Sequence, residues 1–241
     1  MIPLEILAPI VVAFAFFLQR ITGFGSAVIA TPLLALIWEP HESIALVLIF
    51  QNAFGLWLVA RVWRRLMDRK ILTFQIFFLP AVLLGTYVLP MMEPELVRKG
   101  LAAVCAFVLV QWLFFSRLRL PERLQPAAGG ACGLMSGLVQ GSFGMGGPFF
   151  LLYFGNVEKR SEVIRDTIIA VFVVANVLRA PVAFATAQFT PDVLWLALYT
   201  TPLFVAAMVA GAKLTKRVDA GLFRYLVVGI LFLAAVQLAF Q

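Results

Sequence analysis

Gln19, Gly23, Gly25 and Ser26 in the stretch QRITGFGS recur with the same spacing as Gln140, Gly144, Gly146 and Gly147 in QGSFGMGG. Both stretches interrupt apolar sequence, where a glycine costs a helix about 1 kcal/mol relative to alanine and frees backbone groups that need partners. A new helix is expected after each break, near Gly25 or Ser26 and near Gly146 to Pro148. Pro148 suits a first turn, and Thr22 or Ser26 is available as a cap for the other. A helix N-terminus offers N–H donors and about half a positive charge, which is the chemistry of an anion site. Arg20 and Arg179 are the two basic residues that fall inside apolar segments, while Glu5, Glu39, Glu42, Asp166 and Asp192 all sit near segment ends. An arginine in a bilayer interior costs about 2.5 kcal/mol or more and needs a polar partner. An anionic ligand would fill that role, aided by Gln19, Gln140, Ser142, Asn52, Asn176, Thr200 and Thr201. Plainer readings stand beside this one. Glycines pack helices closely, Arg179 has the length to snorkel to headgroups, and Arg20 has the donors to hold carbonyls at the break.

These residues must be positioned by membrane helices. The chain is 63% hydrophobic and 13% charged, too little charge for the surface of a soluble domain of 241 residues. Apolar runs of spanning length recur along it, with no alternating-polarity strands of the barrel type, so an all-α polytopic bundle is expected. The net charge of +7 comes from basic residues in short connectors. They are topology signals, and nothing indicates a nucleic-acid partner. Cys105, Cys132 and the lone His41 suggest no disulfide, metal or cofactor, and no catalytic arrangement of side chains is evident.

The correspondence between the breaks continues downstream. Asn52 aligns with Asn176, Pro80 with Pro202, and Leu96 and Arg98 with Leu222 and Arg224. Two repeats are therefore expected, residues 1–120 and 121–241. The first would hold a broken segment at 4–38 and helices near 43–60, 71–90 and 97–116. The second would hold a broken segment at 126–155 and helices near 164–187, 192–212 and 219–240. As a straight helix, 4–38 would run about 50 Å, well beyond a hydrocarbon core of about 30 Å. A single crossing per broken segment would scatter the basic connectors over both faces. A re-entrant hairpin gathers Arg61 to Lys70, Arg117 to Arg123, Lys159 to Arg165 and Lys213 to Arg224 on one face, leaving Arg98 and Lys99 on the other, as the positive-inside rule prefers. Three net crossings per half then make the repeats inverted, with both termini outside and the two hairpin tips converging near the midplane.

The motifs LQRITGFGSAVIATPLLAL and GLMSGLVQGSFGMGGPFFLLY resemble the paired glycine motifs of the sulfite exporter TauE/SafE family of membrane permeases, and the resemblance extends over the whole chain. It implies movement of small sulfur-containing anions, such as sulfite, sulfoacetate and other organosulfonates, across the bacterial inner membrane. The first motif reads Gly-Phe-Gly-Ser where many relatives carry a denser glycine run. Taken together, these readings predict a secondary transporter with a small anionic substrate, working by alternating access, with export as the direction an inside-negative potential favours. An anion channel and a non-transporting scaffold subunit are the alternatives. A homo-oligomer is compatible with either.

Overall fold

The computed structural model describes residues 3–22, 25–62, 71–114, 121–214 and 220–240. Among these the chain forms ten α-helices: α1 (Leu4–Thr22), α2 (Ser26–Ala35), α3 (Pro40–Val62), α4 (Leu72–Val88), α5 (Pro94–Phe114), α6 (Gln125–Phe143), α7 (Gly147–Val157), α8 (Ser161–Ala185), α9 (Pro191–Leu214) and α10 (Ala220–Ala239). Segments of α1, α3, α4, α8 and α9 are long and apolar enough to cross a membrane, by length and composition. Large side chains such as Ile76, Phe77 and Leu84 on α4, and Trp195, Leu198 and Tyr199 on α9, lie exposed. Apolar surface on this scale marks a molecule whose solvent is lipid. The protein is an all-helical, polytopic membrane protein.

Two compact units divide the chain, each drawing on both halves of the sequence. The first comprises Met1–Phe50, Met92–Leu109 and Ala187–Gln241. In it α1 packs on α2 and α9, and α2 on α10. Phe16 of α1 meets Phe204 of α9 edge-on, with centroids 5.2 Å apart. Farther along, a Cβ added to Gly211 would lie 2.9 Å from the Arg20 Cβ, so α1 and α9 run parallel. Leu4 and Glu5 border the same cavity as Trp38, just beyond α2, so α2 returns to the end where α1 begins. The first broken segment is a helical hairpin.

Three connectors meet at that same end. Thr190 Oγ1 donates to Glu42 Oε1 at 3.0 Å, His41 Nε2 donates to the Met92 carbonyl at 3.1 Å, and Arg98 lies 4.0 Å from Glu39. The α2–α3, α4–α5 and α8–α9 connectors are thereby gathered together. A single crossing by the second broken segment, at 125–157, would have separated the α2–α3 connector from the α8–α9 connector.

The second unit comprises Gln51–Met91 and Val110–Thr186. Its centre is α6 against α4. Gly133, Gly137 and Gly141 lie against the backbone of Phe74, Phe78 and Val82 in turn, with an added Cβ overlapping each carbonyl oxygen. The ascending pairs show that α4 and α6 are parallel and separated by backbone alone, which the four-residue glycine spacing permits. α7 folds back along α6, since Ser136 Oγ donates to the Gly146 carbonyl at 2.8 Å and the Tyr153 ring covers Gly129. The second broken segment is a hairpin as well. Phe74, Phe78, Phe150 and Phe154 fill the core beside it. Lys159 and Arg160, after α7, fall at the end where α6 begins.

Candidate functional site

At the tip of the second hairpin, α6 ends because Gly144 adopts the left-handed conformation, φ 73°. Its N–H bonds the Gln140 carbonyl at 3.0 Å, a five-to-one closure for which a left-handed glycine is favoured, and Met145 N–H bonds that of Val139 at 3.5 Å. Pro148 then occupies the first turn of α7, where its missing N–H costs nothing.

Gln140, fully buried, ties the tip to α8. Its Oε1 accepts from Gly146 N–H and its Nε2 donates to Asn176 Oδ1, both at 2.9 Å. One turn onward on α8, Arg179 donates from Nη2 to the Gly141 carbonyl at 2.9 Å. Thr86 of α4 reaches the same carbonyl at 3.3 Å, Ser142 Oγ donates to the Gly85 carbonyl at 3.3 Å, and Gln51 Nε2 donates to the Gly144 carbonyl at 3.2 Å. The structure thus brings together Gln140, Ser142, Gly144, Gly146, Asn176 and Arg179. Thr86, Gly141 and Gln51 join them without having been singled out in the sequence. The four-residue recurrence of Gly129, Gly133, Gly137 and Gly141 was the available signal for Gly141.

Arg179 is the unusual member. It is 0% exposed, and neither its Nε nor its Nη1 has a hydrogen-bond partner. No carboxylate among the described residues forms an ion pair with it. A buried guanidinium in that condition is under-compensated, and its open N–H groups have the chemistry to bind an oxyanion. One alternative is set aside here and one expectation is corrected. Arg179 does not snorkel outward, because packing against α6 encloses it. The Gly146 N–H is not open to a ligand, because the Gln140 side chain already accepts it; the open donors belong to Arg179. The cluster is also displaced along the helix. Arg179 lies six residues before the end of α8, about 9 Å along its axis, and as far again from the helix middle at Val173.

In the first unit, Gly25 is the N-cap of α2, with φ −55° and ψ 119°, and no side chain caps the helix. Ser26 is buried with its hydroxyl unpartnered, which corrects its expected role as a cap. Gln19 is half-buried with an unpartnered Oε1, and the stem of half-buried Arg20 rests on Gly211. Thr200 is buried with a free hydroxyl, whereas Thr201 bonds the Ala197 carbonyl at 2.8 Å. Asn52, half-buried, belongs to the second unit. Gly23 and the Thr22 side chain lie outside the described residues.

The hairpin motifs and the chain around them match the family model for the sulfite exporter TauE/SafE over residues 8–238. The chain belongs to the TauE/SafE family. Membership makes it a membrane transporter of sulfur anions, not an enzyme. No curated protein and no solved structure matches it. In this TauE/SafE chain, the Arg179 cluster holds a buried guanidinium with two N–H-bearing nitrogens that lack a partner among the described residues.

Proposed function

We propose that this TauE/SafE chain is a secondary transporter that exports a small sulfur-containing anion, sulfite, sulfoacetate or another organosulfonate, across a bacterial inner membrane by alternating access. The reading rests on Arg179, a buried cation with two unpartnered N–H groups beside the Gln140–Asn176 pair. The guanidinium would meet the sulfonate or sulfite oxygens, and Asn176, Gln140 and Ser142 would border them. In the first hairpin Gln19, Arg20, Thr22, Gly23, Gly25 and Ser26 are read, by their correspondence with the second motif, as anion-facing groups of that hairpin, and in the second unit Asn52 and Gly147 are read likewise. The sequence halves 1–120 and 121–241 are read as inverted repeats with both termini in the periplasm. The two hairpins support this, as do the connectors gathered at one end of the first unit.

The test is a panel of sulfite, sulfoacetate, taurine and sulfate in proteoliposomes, with thermal stabilisation of the purified protein as the binding readout. Saturable flux with counterflow, lost in Arg179→Gln, is the expected result. Flux that does not saturate would identify a channel. Binding and flux that survive Arg179→Gln unchanged would remove Arg179 from the site.

A further inference from the structure

The first unit carries a cavity of about 770 Å³ between the start of α1 and the first three turns of α9, separate from the Arg179 cluster. Its wall combines three aromatic side chains, Trp38, Trp195 and Tyr199, with two carboxylates, Glu5 and Asp192. Neither carboxylate has an ion pair or hydrogen bond among the described residues. Other acids at this end have side-chain partners: Glu39 with His41 and Arg98, Glu42 with Thr190, and Glu95 with Lys99. Two carboxylates therefore face the cavity with no ion pair among the described residues, in a chain whose net charge is +7. The carboxylates occupy the first turns of their helices, at the level where tryptophan and tyrosine anchor membrane proteins. From Asp192 the wall descends along α9 past Leu196, Leu198 and Tyr199 to Pro202, ten residues or about 15 Å toward the bilayer interior.

We propose that this cavity holds a bilayer phospholipid with an ammonium headgroup, such as phosphatidylethanolamine. The ammonium lies between Glu5 and Asp192 and over the aromatic faces, where both Coulomb attraction and cation–π contact favour it. One acyl chain follows the Leu198–Pro202 wall. An anionic headgroup would meet two carboxylates and is disfavoured.

The purified full-length protein, delipidated and reconstituted with phosphatidylethanolamine or phosphatidylglycerol carrying brominated acyl chains, tests the proposal. The readout is quenching of the Trp195 emission, obtained by difference against Trp195→Phe, with native mass spectrometry to count retained lipids. Phosphatidylethanolamine should quench and be retained at least fivefold better than phosphatidylglycerol, and the Glu5→Gln/Asp192→Asn double variant should abolish that preference. Both substitutions are near-isosteric and at exposed helix starts, and an unchanged melting temperature will confirm that the variant is folded. Equal binding of the two lipids by the unaltered protein, or a preference that persists in the double variant, overturns the proposal. Soluble ethanolamine that displaces nothing is expected; full saturation by it, without dependence on an acyl chain, overturns the lipid as occupant.

Discussion

Replacing Gly137 with alanine tests whether the α4–α6 contact is the rigid element of the second unit. The new Cβ would overlap the Phe78 carbonyl oxygen and lie 2.6 Å from the Ala81 Cβ. Carbon atoms at rest sit about 3.5 to 4.0 Å apart, so the helices must part by about 1 Å. Neither obstacle is the flexible end of a side chain, so the shift has to be taken by the backbones. A gap of that size forfeits about a quarter to a half of the dispersion energy along the seam. Overpacking of this kind costs about 1 to 3 kcal/mol, and its upper end applies where backbone meets backbone. Alanine returns about 1 kcal/mol of helix propensity, leaving a net loss of about 2 kcal/mol. For a chain of this size that corresponds to a fall of about 4 to 8 °C in melting temperature, read by thermal unfolding of the detergent-solubilised protein. Gly155→Ala on α7 is the internal control, since nothing lies within 4 Å of its added Cβ. It should leave the melting temperature unchanged or raise it. A Gly137→Ala protein as stable as the parent would refute the close-contact argument for this interface.

Arg179→Gln should leave the ligand-free protein at least as stable as the parent, because it removes an unpaired buried charge. It should weaken anion binding by about 10- to 100-fold, matching the loss of charge-assisted hydrogen bonds of about 1.5 to 3 kcal/mol, measured as a vanished ligand-induced rise in melting temperature. Gln140→Ala leaves the Gly146 N–H and Asn176 Oδ1 without partners. It should cost about 1 to 3 kcal/mol of stability by the same unfolding assay and slow transport. Arg20→Gln, at the first break, should reduce flux and affinity in proteoliposomes; unchanged values would leave Arg20 a packing residue against Gly211.

The helical class and the breaks were legible because both depend on local properties of the chain. Apolar runs of spanning length admit little but helices, and closely spaced glycines at 144 and 146 make a helix break inexpensive there. The second broken segment, expected over 126–155 from its glycine break and read as a hairpin from the basic connectors, forms a hairpin of Gln125–Phe143 and Gly147–Val157. Which polar groups remain open was not legible. Gln140 reads from sequence as a ligand, but its two ends are held by Gly146 and Asn176, a pairing across 36 residues that only tertiary packing creates. Thr86 and Gln51 were missed because a threonine or glutamine in an apolar segment carries no periodic signal of what it faces.

The packing also bears on how such a transporter can move. The second hairpin shares its glycine seam with α4, which comes from the other half of the sequence, and the first hairpin lies along α9 in the corresponding exchange. Motion of residues 1–120 as one body against 121–241 would pull α4 from α6 and α1 from α9, exposing the backbone faces at Gly133, Gly137 and Gly141 and unstacking Phe16 from Phe204. Interfaces of that density do not deform continuously. Any rearrangement that keeps them intact must carry each hairpin together with its partner helix from the opposite half.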